Sequence, residues 1–241
     1  MHTHIVYAHP EASSYNGALK RTAERTLGES GDTVSVSDLY ASGFDPAESG
    51  RHYANRNDPD HFVPLAEQRH AWKTDAVPED VVAEIRGLER ADLVILQFPL
   101  WWHGPPAILK GWMDRVFVSG GLYTSRMRYD TGYFRGRRAI VSVTTGAPLG
   151  AFGPGSRGGD FETMLWPVQY SMHYMGFTVL PPFISYGVQG HGYSYEGKSS
   201  LEDRLRRNLD AWSAHLSGLD EVEPLKFPGW SDWDKDGGAS G

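Results

Sequence analysis

Three short stretches hold side chains that could work together on one ligand. His9-Pro-Glu-Ala-Ser-Ser-Tyr-Asn16 is a loop rich in hydroxyls, Pro99-Leu-Trp-Trp-His-Gly104 sets two adjacent indoles beside an imidazole, and Thr144 to Gly159 carries six glycines in sixteen residues. Ser13, Ser14 and Asn16 lie just ahead of a helical pattern, where free backbone amides and the helix dipole favour an anion. The plainer alternative is that one of them merely caps that helix. Two tryptophans in a loop suit a flat aromatic ligand, because exposed indoles cost solubility unless something covers them. Glycines at a strand end either let the backbone approach a ligand closely or make a flexible surface loop. The histidines His52, His61 and His70 are too scattered for a metal site, and no metal is expected.

Each of these loops follows an apolar run with the character of a buried strand. The runs are His4 to Ala8, Asp92 to Leu96 and Ala139 to Val143, β-branched or leucine-rich and too short for helices. Val34 to Leu39 alternates as a second strand, and Phe177 to Leu180 makes a fifth. Between them, helical spacing marks Gly17 to Leu27, Pro78 to Leu88, the segment from Pro106 to Phe117 with its first-turn proline, Asp160 to about Tyr174, and Ser200 to Leu216. Phe44 to Pro78 has no clean period and is predicted as a long excursion with one short helix. Strand and helix alternate, with neither a repeat nor a linker. The fold class is therefore α/β, a doubly wound five-stranded parallel sheet with helices on both faces. Residues 1–217 form the domain, and 218–241 a C-terminal extension, either an arm or a disordered end.

In such a sheet the three loops emerge at the carboxyl ends of the strands, the edge at which ligands bind. A hydroxyl-rich, an aromatic and a glycine-rich loop together describe a site for a phosphorylated, flat, conjugated cofactor. Gly-x-Gly-x-x-Gly is missing after the first strand, which disfavours a nicotinamide dinucleotide in a Rossmann cradle and favours a flavin in a flavodoxin-like fold. The rest of the composition narrows the class. A net charge of -7 argues against nucleic-acid binding, and the absence of cysteine removes disulfides, thiolate catalysis and iron–sulfur clusters. No apolar run is long enough for a membrane span. The amino terminus enters a strand without a signal-like segment, so the expected location is cytoplasmic.

The residues also carry a family signature. Ala-His-Pro-Glu with Ser-Tyr-Asn-Gly-Ala-Leu, Ser-Asp-Leu-Tyr with Phe-Asp-Pro, Gln-Phe-Pro-Leu-Trp-Trp with Pro-Ala-Ile-Leu-Lys-Gly-Trp-Met-Asp-Arg-Val-Phe, Thr-Thr-Gly and Leu-Trp-Pro occur in that order across residues 4–215. The chain resembles the NAD(P)H:quinone oxidoreductases of the DT-diaphorase type, flavodoxin-fold flavoenzymes. The resemblance implies that His9, Ser13, Ser14, Tyr15, Asn16 and Ala18 hold the cofactor's phosphates and ribityl chain. It implies that Pro99, Leu100, Trp101, Trp102 and His103 line the isoalloxazine ring, and that Thr144, Thr145, Gly146 and Ala147 bond its polar edge. Tyr123 and Thr124 match positions that reach the substrate pocket of the other subunit, so a homodimer with flavin sites at its interface is implied.

The activity that follows from the resemblance is two-electron reduction of quinones, with azo or nitro compounds as further acceptors, by ping-pong hydride transfer from NADPH or NADH through bound FAD or FMN. The long excursion favours FAD. At one place the chain departs from the family pattern: a tyrosine and a histidine of the glycine-rich loop are replaced by Phe152 and Gly158. Arg157 or His103 then becomes the candidate for the missing donor, the alternative being backbone amides of Gly146 and Ala147. Arg157, His103 and Tyr123 are the expected catalytic residues, and Phe152 is counted with the cofactor wall. Other readings are an ancillary flavoprotein that binds a partner such as a transport protein, and a flavodoxin-like electron carrier.

Overall fold

The computed structural model describes residues 1–190, 194 and 196–240. Its strands are β1 His2–Tyr7, β2 Thr33–Asp38, β3 Leu93–Pro99, β4 Arg138–Thr144, β5 Thr178–Val179 and β6 Phe183–Ser185. All pairings are parallel and run in the order β2-β1-β3-β4-β5, with β6 also pairing to β4. This is the doubly wound order in which the chain reverses direction between β1 and β3, opening a crevice at the strands' carboxyl ends. The helices are α1 Tyr15–Glu29, α2 Pro64–Lys73, α3 Glu79–Arg90, α4 Ala107–Val116, α5 Phe161–Tyr174 and α6 Lys198–Ser217.

The fifth strand differs from expectation for a covalent reason. Pro181 and Pro182 have no backbone N–H, so the ladder cannot run through them. One strand position is therefore filled by two pieces, Thr178–Val179 against Arg138–Ala139 and Phe183–Ser185 against Ser142–Thr144. The excursion from Phe44 to Pro78 holds a 3-10 turn at Gly50–His52 as well as the single helix α2. It is fastened by Glu67, which is fully buried and accepts from Arg56 Nε at 2.9 Å and from the Asn57 amide at 2.8 Å.

Both faces of the sheet are covered. Leu19, Leu27, Trp212 and Leu216 of α1 and α6 pack on Ile5, Tyr7 and Ile95, and Ile85, Leu109, Trp112 and Leu165 of α3, α4 and α5 pack on Val94, Leu96 and Val141. This is why β3 is buried along its whole length and reads as a continuous apolar run. Beyond α6 the chain does not turn away from the domain. The Leu225 amide donates to Val179 O at 2.8 Å, Phe227 stacks on His173, and Trp230 and Trp233 enclose Tyr129. Gly241 lies outside the described residues.

At the opposite end of the sheet from the loops, β1 buries a histidine. His4 is 3% exposed and is held by Ser35 Oγ at 2.8 Å and Ser37 Oγ at 3.2 Å, while Gly87 lets α3 approach so closely that a Cβ there would come within 2.7 Å of the ring. Burial pushes its pKa down to about 4, with His2 and Arg90 adding to the effect. The folded protein therefore keeps His4 neutral at pH values where the unfolded chain, titrating near the ordinary value of about 6.5, takes up a proton. Its contribution to stability is complete above about pH 6.5 and declines as the pH falls to about 4, a loss of about 2–3 kcal/mol. Urea denaturation at pH 7, 5 and 4 should show this decline, and His4→Gln should flatten it; an equally steep profile in that variant would assign the acid sensitivity elsewhere.

Candidate functional site

The three loops are joined beneath their surface by one hydrogen-bond chain. Gln97 Nε2 donates to Asn16 Oδ1 at 2.8 Å, and Asn16 Nδ2 donates to Thr144 Oγ1 at 2.8 Å. Gln97 lies near the end of β3, Asn16 opens α1 and Thr144 ends β4, and all three are buried. Asn16 therefore ties the loops together from below, with its amide committed to protein partners.

The first loop is drawn tight around the start of α1. Ser14 caps the helix, its Oγ accepting from the Gly17 amide at 3.2 Å. Ser13 donates through both its amide and its hydroxyl to Glu11 Oε1, at 2.8 and 2.7 Å, and these two bonds hold the Glu11 carboxyl below the usual carboxylate range. An incoming phosphate would thus displace a carboxylate that already satisfies those donors. His9 is half-buried, which lowers its pKa; its Nδ1 sits 3.0 Å from the Glu11 amide and its ring 6.2 Å from that of Trp101. Tyr15 turns the other way, donating to Asn208 Oδ1 at 2.7 Å and Leu205 O at 2.9 Å on α6. Ala18 is half-buried in the first turn of α1.

The aromatic loop is a two-residue turn. Trp101 and Gly104 exchange amide–carbonyl bonds of 3.0 and 3.1 Å, and the residues between them, Trp102 and His103, have φ of +50° and +62°. Glycine and asparagine favour this left-handed region and bulky side chains avoid it, so the turn is strained. It also leaves the Trp102 indole 95% exposed. Pro99 below it is buried, and the Leu100 amide donates to Thr144 O at 2.8 Å, fixing the turn beside the third loop. His103 is exposed.

In the third loop the Thr145 amide donates to Ser185 O at 3.0 Å, and Thr145 O accepts from Val188 at 2.8 Å. The Ala147 amide donates to Thr145 Oγ1 at 3.3 Å, whereas the Gly146 amide has no acceptor among the described residues. A Cβ at Gly146 would meet only Val188 O, at 3.7 Å, so this stretch of backbone is open to close approach. Further on, Phe152 turns inward, its ring 4.6 Å from Phe161 and 5.8 Å from Tyr186. Gly158 packs directly on it: a Cβ there would lie 3.0 Å from the Phe152 ring and 2.8 Å from Ala151 O. A side chain at Gly158 would require the Ala151 carbonyl and the Phe152 ring to shift. Arg157 is exposed.

Tyr123 stands apart from the loops. It packs edge-on against Tyr174 and lines a cavity of about 550 Å³ between α4 and α5 that also touches Pro105 at the exit of the aromatic turn. Sequence reasoning missed Gln97, the residues of β6, and Arg204, which donates to Tyr186 O and Gly187 O at 2.8 and 2.7 Å and so fixes the segment beside Thr145. Gln97, a lone polar residue inside an apolar strand, was the one visible signal. Among the described residues no group of three or more metal-ligating acid or histidine side chains is assembled, and no helix is long and apolar enough to cross a membrane.

A family model described as a flavodoxin-like fold matches residues 1–216. The mouse ribosyldihydronicotinamide dehydrogenase [quinone] is 40% identical over 235 residues, covering 94% of this chain and 95% of that protein. The chain belongs to the flavodoxin-like quinone oxidoreductases. Among members of this family, guinea-pig NAD(P)H dehydrogenase [quinone] 1 is 39% identical over 92% of this chain and 78% of its own. A crystal structure from Klebsiella pneumoniae, described as that of a quinone reductase, is 34% identical and superposes with a TM-score of 0.86 over 97% of this chain and 91% of that one.

The observed geometry fits the flavin that a quinone oxidoreductase of this type uses. An exposed indole, an open backbone amide and a capped helix start stand at the carboxyl ends of β3, β4 and β1, on elements locked by Gln97, Asn16 and Thr144. Asn16→Ala would leave the Gln97 amide and the Thr144 hydroxyl without their partner, and should cost about 2 kcal/mol or more of unfolding free energy together with weaker cofactor retention. Chemical denaturation and the flavin-to-protein ratio after gel filtration measure both. Unchanged values in this variant would mean that the loops do not depend on the buried chain.

Proposed function

We propose that this protein is an NAD(P)H-dependent two-electron reductase of quinones that works through a bound flavin. The strained, almost fully exposed Trp102 and the open Gly146 amide, which follow the adjacent strands β3 and β4, carry the reading, supported by relatives near 40% identity that are named as quinone dehydrogenases. Azo and nitro compounds are further candidate acceptors. FAD is the proposed flavin, because the chain keeps a long ordered excursion and a full α6 beyond the minimal sheet. The proposed assembly is a homodimer. Tyr123 and the groove between α4 and α5 would face the partner, and exposed Leu65 lines that groove. A chain without cysteine suits a reducing, cytoplasmic setting.

A flavin held there would supply the two-electron chemistry, taking a hydride from the nicotinamide cofactor and passing two electrons to the quinone. The protein's part is placement and charge. Ser13, Ser14 and the first amides of α1 would meet the phosphates once Glu11 is displaced. Trp101, Trp102 and His103 would wall the ring, the preset turn reducing the ordering that binding requires. Thr145 and the Gly146 amide would donate to the ring's polar edge, where negative charge accumulates on reduction. Phe152 cannot share this task, since its ring is committed to Phe161 and Tyr186. Arg157 and His103 are free to supply a positive or donor group there.

The absorption spectrum of the purified protein is the direct test. A yellow protein whose released flavin chromatographs as FAD, and which oxidises NAD(P)H with parallel double-reciprocal lines against a quinone, is the expected result. A colourless protein that no flavin reconstitutes overturns the reading. Arg157→Ala should slow flavin reduction in stopped flow about tenfold if the guanidinium stabilises the developing charge; an unchanged rate would leave the task to His103 and the Gly146 amide.

A further inference from the structure

The Pro181-Pro182 break leaves β6 as a strand of three residues, paired to β4 alone. So short a strand has few ladder bonds of its own to hold it. Yet the start of the glycine-rich loop hangs on β6 and on the residues just after it. The Thr145 amide donates to Ser185 O at 3.0 Å, the Gly187 amide to Ala147 O at 2.8 Å and the Val188 amide to Thr145 O at 2.8 Å. Gly146 sits in the middle of this braid, so whatever fixes residues 185–188 also fixes its open amide.

Helix α6 does the fixing. Arg204 grips the backbone at Tyr186 and Gly187, and one turn further on Asn208 reaches the strand itself. Ser185 is 1% exposed, and its hydroxyl donates to Asn208 Oδ1 at 2.6 Å. The same oxygen accepts from the Tyr15 hydroxyl at 2.7 Å, whose proton is shared with Leu205 O at 2.9 Å. Both lone pairs of one amide oxygen are thereby engaged, one by the neighbour of the Ser14 cap and the other by the strand under the third loop. The contact between α1 and α6 does not need this amide, because Leu19, Leu27, Trp212 and Leu216 already pack there. A polar group among them costs desolvation, which its two hydroxyl partners offset.

We infer that Asn208 is a positioning residue for the crevice. It holds the start of α1 and the backbone of Thr145 to Ala147 in one fixed relation, so that the helix start and the Gly146 amide keep the spacing that a single bound flavin would need. Tyr15 and Asn16 are consecutive and serve two separate ties: Asn16 joins the loops through Gln97 and Thr144, and Tyr15 joins them through Asn208 and Ser185. The ligand in this inference is the flavin proposed above, whereas the tie rests on the hydrogen bonds alone.

The test compares Asn208→Leu, which removes the acceptor at similar volume, with Asn208→Asp, which keeps it. In hydrogen exchange followed by mass spectrometry on the protein as purified, Asn208→Leu should speed exchange of residues 144–148 and 185–188 about tenfold while β1 and β3 exchange as in the parent, and Asn208→Asp should stay within about threefold of the parent. The flavin dissociation constant, read from flavin fluorescence on dilution of the holoprotein, should rise about tenfold in Asn208→Leu and no more than about threefold in Asn208→Asp. Tyr15→Phe and Ser185→Ala should each give part of the effect and add nothing to Asn208→Leu. Unchanged exchange in Asn208→Leu, faster exchange throughout the sheet, Asn208→Asp behaving as Asn208→Leu does, or unaltered flavin affinity despite loosened loops would each overturn the inference. A parent protein that binds no flavin overturns the proposed function instead, and exchange alone then decides whether Asn208 ties the loops.

Discussion

Everything that gives this molecule a site depends on three buried polar side chains in a row. Gln97, Asn16 and Thr144 come from the end of one strand, the start of a helix and the end of the next strand, and their two 2.8 Å bonds lie where water does not compete. In a low dielectric such a chain is rigid when complete and costly when broken. It sets the relative height of three loops that local sequence alone would leave independent. Leu100 reinforces it by bonding to Thr144 O, so the aromatic turn and the glycine-rich loop share one anchor.

The packing around this anchor lets the crevice hold irregular backbone. Two apolar layers, one centred on Trp112 and the other on Trp212, hold the sheet from both sides and bury these indoles completely. Against that background the left-handed Trp102 and His103 are a tolerable local cost. The turn is held by its own pair of backbone bonds and by the strand beneath it, so its shape is set before any ligand arrives.

Much of the fold could be read from the sequence because its signals were local. Strands β1, β3 and β4 are apolar runs with punctuated ends, α3 and α4 have clear periods, and Ser14 and Asp160 are caps visible by residue type. The candidate site was proposed from equally local signals, since a double tryptophan and a glycine cluster each stand directly after a buried strand, at the edge where parallel sheets bind ligands. What escaped was non-local. Nothing in Asn16 announces that its amide is committed to Gln97 and Thr144, and a three-residue strand behind a Pro-Pro pair gives no periodicity to detect. Tyr15 shows the same limit, since its hydroxyl is claimed by a helix that begins nearly two hundred residues later. The inward turn of Phe152 depends on Phe161 and Tyr186, which only the folded chain brings beside it.

The contact between Phe152 and Gly158 carries a consequence for how this loop can change over time. The ring lies in tight contact with the place where a side chain at Gly158 would begin, so the effect of substituting one position depends on the residue at the other. A Cβ at Gly158 would also press on Ala151 O, so the glycine and the phenyl ring constrain one another. The effects of substituting Gly158 and Phe152 are therefore expected to be non-additive, a side chain at Gly158 being better tolerated when the ring opposite it is made smaller.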